Sequence, residues 1–113
     1  MSKIKVRYFA SLRELLGNIR EEEYEFKKGV MLIDLLLSYI PSRHRNVSRS
    51  WKQRMFESVN GEIRLDKYGL PIPREYYKIL INRRYFNLTS KDSLKHELKN
   101  GDVVDVLPPV GGG

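Results

Sequence analysis

The chain has 113 residues, of which 41% are hydrophobic and 31% are charged. This length and balance favour one small globular domain and exclude a disordered chain. The absence of cysteine excludes disulfides, cysteine zinc sites and thiol nucleophiles. No segment approaches the ~20 apolar residues of a membrane span, and the N-terminus lacks the apolar core of a signal peptide. We therefore expect a cytoplasmic protein.

The net charge of +7 is unevenly distributed along the chain. No acidic residue occurs between Asp34 and Glu57, a segment that holds five cations: Arg43, Arg45, Arg49, Lys52 and Arg54. A run of one sign usually forms a solvated face. The alternative is a docking patch for an acidic partner or a nucleic acid.

The first elements are two predicted strands that flank a short helix. "IKVRYFA" alternates apolar and polar residues, which predicts a half-buried strand with Ile4, Val6 and Tyr8 on one face. "EEEYEFK" predicts a second strand, with Tyr24 and Phe26 inward and Glu21, Glu23 and Glu25 outward. The two strands are expected to form a hairpin-like unit at the edge of a sheet.

Two helices are predicted in the first forty residues. In "SLRELLG", Ser11 and Glu14 form a capping-box pattern and Gly17 suits a left-handed stop. The longer "GVMLIDLLLSYIP" is apolar almost all round, so it is expected to be the main helix and to fill the concave face of a small sheet. Pro41 is expected to end it or to lie just past its end.

The segment after the main helix predicts further structure. Val47, Trp51 and Met55 are spaced four apart, which predicts a second amphipathic helix over the basic run. Asn60-Gly61 predicts a tight hairpin turn. "DKYGLPIP" comes next and is predicted to be a loop.

The C-terminal third predicts a second set of short strands. "YYKILIN" is a strand that "NRR" turns into "YFN", and "SLKHEL" is a single helical turn. After the turn at Asn100-Gly101, "DVVDVL" is a last strand with Val104 and Val106 on one face. Together the elements predict an α+β fold of the β-grasp (ubiquitin-like) kind, with one main helix on a mixed sheet of four to five strands. In it the first and last strands lie side by side and parallel.

Sites for catalysis are weakly supported by this sequence. His44 and His96 have no metal-ligand spacing and are expected at the surface, and no metal is expected. Ser48 and Ser50 lie near His44 but carry no nucleophile-elbow or oxyanion-hole motif. The glycines before the terminus sit singly in turns, so no phosphate-binding loop is present. We expect a domain that is not a catalyst by itself.

The C-terminus "LPPVGGG" carries the strongest functional signal. With glycine at ~7% of residues, a run of three terminal glycines is far too rare to be explained by chance. Pro108 and Pro109 end a strand and favour an extended direction, while Val110 offers a side chain to grip. Gly111, Gly112 and Gly113 can thread a narrow channel and present the terminal carboxylate inside a partner. A carboxylate is inert until it is activated, for example by ATP as an acyl-adenylate. The predicted division is a domain over 1–107, with an insertion at about 41–75, and a flexible tail over 108–113.

Three segments resemble a known family. "KVRYFASLRELLG" resembles the opening of the MoaD/ThiS family of ubiquitin-like sulfur carriers, especially MoaD-type small subunits of molybdopterin synthase, and "LKNGDVVDVLPPVGGG" resembles their ending. "ILINRRYFN" matches more loosely. The resemblance implies that an E1-like enzyme of the MoeB type uses ATP to adenylate Gly113 and that the carboxylate becomes a thiocarboxylate. The carrier then docks on a larger MoaE-type subunit and gives its sulfur to a pterin precursor. It implies no bound cofactor.

The sequence departs from the family pattern at three places. Residues 41–75 are longer than the usual link between main helix and middle strand. The middle turn reads Asn82-Arg83 where Asn-Gly is typical, and Leu107 stands where some members have an aromatic residue. For docking near the tail, we expect exposed apolar side chains at Tyr8, Leu107 and Val110, although plain core packing is an equal alternative for Tyr8.

The sequence leaves other functions open. ThiS-type carriers and archaeal ubiquitin-like modifiers share the activation step, so a lysine-linked modifier or a carrier for thiazole synthesis or tRNA thiolation is the alternative. A nucleic-acid module is favoured less: "YYK" and "NRRYF" place aromatics beside cations, but they lack an RNP-like signature and leave the tail without a role.

Overall fold

The computed structural model describes residues 1–90 and 92–109. In chain order the strands are β1 (Ser2–Tyr8), β2 (Glu21–Phe26), β3 (Val30–Met31), β4 (Ser58–Val59), β5 (Glu62–Ile63), β6 (Lys78–Ile81), β7 (Arg84–Phe86), β8 (Glu97–Leu98) and β9 (Val103–Leu107). Five of them form a mixed sheet in the order β2-β1-β9-β6-β7. β1 and β9 are parallel, and the other neighbours are antiparallel. The predicted α+β arrangement, with β2 at an edge and the first and last strands adjacent, is confirmed.

Alternation in β1 decides which side of the sheet is buried. Ile4, Val6 and Tyr8 are fully buried, as predicted, together with Tyr24 and Phe26 from the neighbouring β2. The side of the sheet that carries them is called the covered face. The opposite side, which carries the alternate residues of the same strands, is called the open face.

The first helix, α1 (Ala10–Leu15), begins two residues earlier than its capping signal predicts, because its N-cap is Phe9 and not Ser11. Ser11 lies inside the first turn, and the N-cap position falls on Phe9, which makes no capping hydrogen bond with its side chain. The predicted capping box is therefore wrong, because the helix starts directly after β1. The stop is confirmed, since Gly17 takes the left-handed φ of 85°.

The main helix runs without a break through three segments: Leu32–Asp34, Leu35–Tyr39 with π-type bonding, and Ile40–Arg43. It starts later than predicted, because Val30 and Met31 form β3, which pairs with β8. It also continues past Pro41, so the predicted stop there is wrong.

A wider turn explains how the main helix accommodates Pro41. The amide of Ile40 donates to the carbonyl of Leu35, five residues back. In this register the carbonyl of Leu36 would accept from residue 41, and proline has no N–H to give. The indole Nε1 of Trp51 donates to that carbonyl instead, at 2.8 Å. Trp51 thus compensates for the hydrogen-bond donor that Pro41 lacks.

The insertion folds as a helix followed by a hairpin, as predicted. After a 3₁₀ turn at Arg45–Val47, the second helix spans Ser48–Met55 and is called the basic helix. Its Trp51 and Met55 are buried, whereas Val47 is only partly buried. β4 and β5 then pair around Asn60-Gly61, both at positive φ (54° and 84°).

The "SLKHEL" segment is helical only in its first half. Ser93–Lys95 form a 3₁₀ turn, while Glu97–Leu98 form β8. The second half was predicted wrongly, because pairing with β3 and burial of Leu98 are tertiary effects. The last strand is confirmed, with Val104 and Val106 fully buried.

One hydrophobic core joins the covered face, the main helix and the basic helix. Its fully buried members include Leu32, Leu35, Leu36 and Ile40 from the main helix. Among the described residues, no helix is long and apolar enough to cross a membrane.

Candidate functional site

The C-terminal strand leaves the sheet from its centre. Val106 pairs with Tyr8 of β1 and Ile79 of β6, and Leu107 pairs with Lys78 of β6, so β9 is held on both sides to Val106 and on one side at its last residue. Pro108 and Pro109 come directly after it and are half-buried. Because neither proline has an N–H, neither can donate to a ladder beyond that point. The end of β9 is therefore a rigid base for the C-terminal residues.

The predicted tail lies mostly beyond this base. Val110 and the glycines at 111–113 fall outside the described residues, so their roles stay predictions. Leu107 is half-buried and lies on the open face. Its predicted docking role also stays a prediction.

Of the two alternatives predicted for Tyr8, core packing is confirmed and an exposed docking side chain is wrong. Its side chain is fully buried on the covered face. It contacts Trp51 with the two rings nearly perpendicular and their centroids 5.9 Å apart. Its hydroxyl donates to Oε1 of Glu22 at 2.8 Å. The insertion supplies Trp51, so the extra structure in this chain covers the tyrosine.

The Glu22 carboxylate is the centre of a polar cluster on the covered face. Its Oε1 lies 2.8 Å from the Tyr8 hydroxyl, 2.8 Å from Nε2 of His44 and 3.4 Å from the Tyr24 hydroxyl. Arg43 lies 3.6 Å from Oε2, and its guanidinium sits 3.7 Å above the Tyr24 ring. The His44 side chain is only 10% exposed, so the prediction of a surface histidine is wrong.

Burial and this carboxylate keep the two phenols protonated. Desolvation, with the nearby Tyr24 and the charge of Glu22, raises the pKa of Tyr8 well above its ordinary range. Desolvation and the charge of Glu22 raise the pKa of Tyr24 to about 12. Neutral hydroxyls of Tyr8 and Tyr24 contact Glu22 from β1 and β2, and Arg43 and His44 contact it from the start of the insertion.

A partly buried ion pair joins β1 to β9 on the open face. Arg7 and Asp105 are opposite in the parallel register, and the guanidinium binds the carboxylate through two hydrogen bonds of 2.6 and 2.8 Å. Asp105 is 2% exposed. Hydrogen bonding to Asp105 and its charge raise the pKa of Arg7, which keeps the guanidinium protonated. This bidentate contact fixes β9 two residues before its end.

Sequence reasoning missed this pair. Both residues sit on the outward phase of their strands, and the strands were expected to be parallel neighbours. The available signal was a lone acidic residue, Asp105, inside the apolar "VVDVL", opposite an arginine in "KVRYF". A parallel register was needed to join the two.

Partly exposed apolar side chains surround the ion pair. Leu80 is the antiparallel partner of Asp105 and is itself paired with Tyr85, which is 60% exposed. Phe9 lies 5.8 Å from the guanidinium of Arg7 and 5.9 Å from that of Arg13. Within residues 1–90 and 92–109, no group of His, Asp and Glu side chains could hold a metal ion. The part of the open face around Leu80, Tyr85 and Leu107 is suited to contact with an apolar surface, whereas its β1–β2 part carries the ion pairs Lys3–Glu25 and Lys5–Glu21.

Comparison of the sequence with protein-family models assigns the chain to a family. The ThiS family model matches residues 6–113, nearly the whole length. The chain belongs to the ThiS family. A comparison with curated protein sequences found no match.

Solved structures of ThiS-like proteins share the fold. "Putative molybdopterin converting factor, subunit 1" from Pyrococcus furiosus is 34% identical, with 97% of this chain and 100% of that chain covered and a TM-score of 0.61. Small archaeal modifier protein 1 from Methanosarcina acetivorans is 29% identical, with 100% and 98% covered and a TM-score of 0.66. A chain of the Amycolatopsis orientalis BexX/CysO complex is 22% identical, with 97% of this chain and 99% of that chain covered. It shares the fold, with a TM-score of 0.60. The predicted ubiquitin-like β-grasp fold is thus confirmed, in a family of small carriers and modifiers.

Proposed function

We propose that this ThiS-family chain is a sulfur carrier whose C-terminal Gly113 is the reactive residue. The observation that carries the proposal is the end of β9. A strand fixed on both sides stops at Leu107, and Pro108 and Pro109 separate it from "VGGG". This arrangement supplies a rigid base, a stiff spacer and a terminus without side chains.

The chemistry begins with activation of the terminal carboxylate. A carboxylate oxygen attacks the α-phosphorus of ATP, pyrophosphate leaves, and an acyl-adenylate forms. A sulfide nucleophile then attacks the carbonyl carbon and displaces AMP, which leaves a thiocarboxylate on Gly113. An E1-like enzyme of the MoeB type performs the adenylation and a sulfur donor supplies the sulfide, while the carrier itself holds no cofactor and is not the catalyst.

We favour molybdopterin synthesis as the destination of the sulfur. The likeness to the Pyrococcus furiosus protein supports this assignment at 34% identity. In this role the carrier is the small subunit, and a MoaE-type subunit receives the tail. The open face around Leu107 and Leu80 is the proposed contact surface, because it combines partly exposed apolar side chains with a position beside the tail.

A protein modifier is the second candidate. Small archaeal modifier protein 1 from Methanosarcina acetivorans is 29% identical over the whole chain, which supports this alternative. A modifier uses the same acyl-adenylate, but an amine attacks it and an amide forms. Sulfur carriers for tRNA or thiazole are variants of the first proposal that differ only in the acceptor.

Tagged protein recovered from cells separates the two candidates. A carrier yields free chain together with a non-covalently bound large subunit, and that subunit converts a pterin precursor when the thiocarboxylate form is added. A modifier yields conjugates in which Gly113 is joined to lysines of other proteins, visible as branched peptides after digestion. Conjugates without a bound subunit would overturn the molybdopterin assignment.

A further inference from the structure

A groove of about 380 Å³ lies between the main helix and the basic helix. Leu37 and Pro41 contribute its apolar part from the main helix. Three hydroxyls line the rest, from Ser38, Ser42 and Ser48. In residues 1–90 and 92–109, none of these hydroxyls makes a hydrogen bond to another protein group. They are therefore donors available to a ligand.

Two cations complete the groove. Arg45, from the 3₁₀ turn, and Lys52, from the basic helix, both line it. Neither forms an ion pair with a carboxylate of the described residues. The acidic groups nearest in sequence are Asp34 and Glu57, because the segment between them has none. The groove therefore carries uncompensated positive charge.

Other cations of the same run have contacts elsewhere. Arg43 lies over the Tyr24 ring and near Glu22. A Cβ built on Gly61 would lie 2.7 Å from Nη2 of Arg49, so that arginine packs against the hairpin turn. The basic run is thus divided: part of it holds the insertion in place, and part of it lines the groove.

We propose that this groove docks an acidic, amphipathic segment of a protein partner. Carboxylates of the segment pair with Arg45 and Lys52 and accept from the serine hydroxyls, while an aliphatic side chain contacts Leu37 and Pro41. A nucleic acid fits less well, because none of the described residues that line the groove is aromatic and could stack on a base. The site lies on the helical side of the molecule and is separate from the open face.

The test uses a fluorescein-labelled peptide of alternating glutamate and leucine, with binding measured by anisotropy and by amide chemical shifts of the full chain. We expect binding that weakens as salt rises, with the largest shifts at Ser38, Ser42, Arg45, Ser48 and Lys52. The double variant R45E/K52E should bind about tenfold more weakly, as expected for the loss and reversal of two exposed ion pairs. The matched control R83E/R84E makes the same charge change at the β6–β7 turn and should change affinity by less than about twofold.

Three results would overturn the proposal. Equal loss in both double variants would mean non-specific attraction to net charge, and shifts centred on the open face would place the peptide elsewhere. Tighter, groove-dependent binding of a single-stranded polyuridine RNA of equal charge would assign the groove to a nucleic acid. Circular dichroism checks that the variants fold, and if R45E/K52E does not, the neutral R45Q/K52Q is measured and must also weaken binding.

Discussion

The covered face and the open face of the sheet use the same strands in opposite ways. On β1, Ile4 and Val6 face a fully buried core, whereas Arg7 faces outward and binds Asp105 of β9. The insertion reinforces the covered face, since Trp51 from the basic helix packs against Tyr8. The opposite side carries the partly exposed Leu80 and Leu107 beside this ion pair.

This difference indicates that the two faces have different roles, one in stability and one in positioning β9. Apolar burial on the covered face supplies most of the stability, because it scales with the area removed from water. The open face contributes a positional contact, the bidentate pair that holds β9 close to its end. A fold built in this way can keep its tail base fixed and still leave a surface free for a partner. Substitutions on the two faces should therefore differ in size and in kind.

The largest expected effect is on the covered face. Trp51→Ala removes a fully buried ring and leaves the Leu36 carbonyl without its donor, so the free energy of unfolding should fall by about 3–5 kcal/mol. Urea unfolding monitored by circular dichroism measures this loss. Trp51→Phe is the control: it keeps a ring but no N–H, and it should cost less. If Trp51→Ala lowers the free energy of unfolding no more than an ordinary surface substitution does, the packing role of the insertion is refuted.

The open face should respond less to loss of its ion pair. Asp105→Ala removes the partner of a guanidinium that still reaches water, so stability should fall, but by less than with Trp51→Ala. Glu21→Ala is the matched control, because its pair with Lys5 is exposed and is worth about 0–1 kcal/mol. Amide exchange at Val106 and Leu107 should quicken only in Asp105→Ala. If both variants behave alike, the partly buried pair does not position β9.

Alkaline pH should weaken the covered face selectively. The folded state raises the pKa of Tyr24 to about 12, above the ordinary value near 10, so its stabilising effect is complete below pH ~10 and is lost as pH rises through the folded value. The urea midpoint should therefore fall between about pH 10 and 12. Tyr24→Phe should reduce this fall, while Tyr68→Phe, at a side chain that is 71% exposed, should not. An unchanged pH profile in Tyr24→Phe would contradict this account.

The smallest expected effect is a gain in a turn outside both faces. Arg83 has a φ of 67°. For a residue with a side chain, this left-handed conformation is less favourable than the right-handed one by about 1 kcal/mol or more. Arg83→Gly should raise the free energy of unfolding by roughly 0.5–1 kcal/mol. Arg84→Gly, one residue on and within β7, should lower it. A loss of stability in Arg83→Gly would show that the arginine makes a contact that outweighs the strain.

Local pattern was enough to predict the five strands of the main sheet and both faces of β1, but not the short strands β3 and β8. Alternation marked Ile4 and Val6 as buried, and Asn60-Gly61 marked its hairpin, because these signals depend on neighbours in sequence. The predicted end of the main helix at Pro41 was wrong. The helix continues because its turn is wider there and because the distant Trp51 donates to the Leu36 carbonyl in place of the N–H that proline lacks. The burial of Tyr8 also depends on that tryptophan, which is 43 positions away in the sequence and comes from the insertion.

The candidate site was predictable in part for the same reason. The residue composition of "LPPVGGG" identified the tail without any structure. The Arg7–Asp105 pair required the register of two strands that are 98 residues apart in sequence. The groove required two helices to be brought together around Arg45 and Lys52, and helix packing cannot be read from charge alone.

The most direct test of the central claim is the intact mass of the chain after incubation with ATP, an E1-like enzyme and a sulfur donor. The proposal predicts a gain equal to the difference between one sulfur and one oxygen atom. That gain should be lost when Gly113 is deleted and kept in Tyr68→Phe, which changes an exposed side chain far from the terminus in sequence. The enzyme is shown to be active on another carrier in the same experiment. No gain in the intact chain, or the same gain in the chain that lacks Gly113, would contradict the assignment of the terminal carboxylate as the functional group.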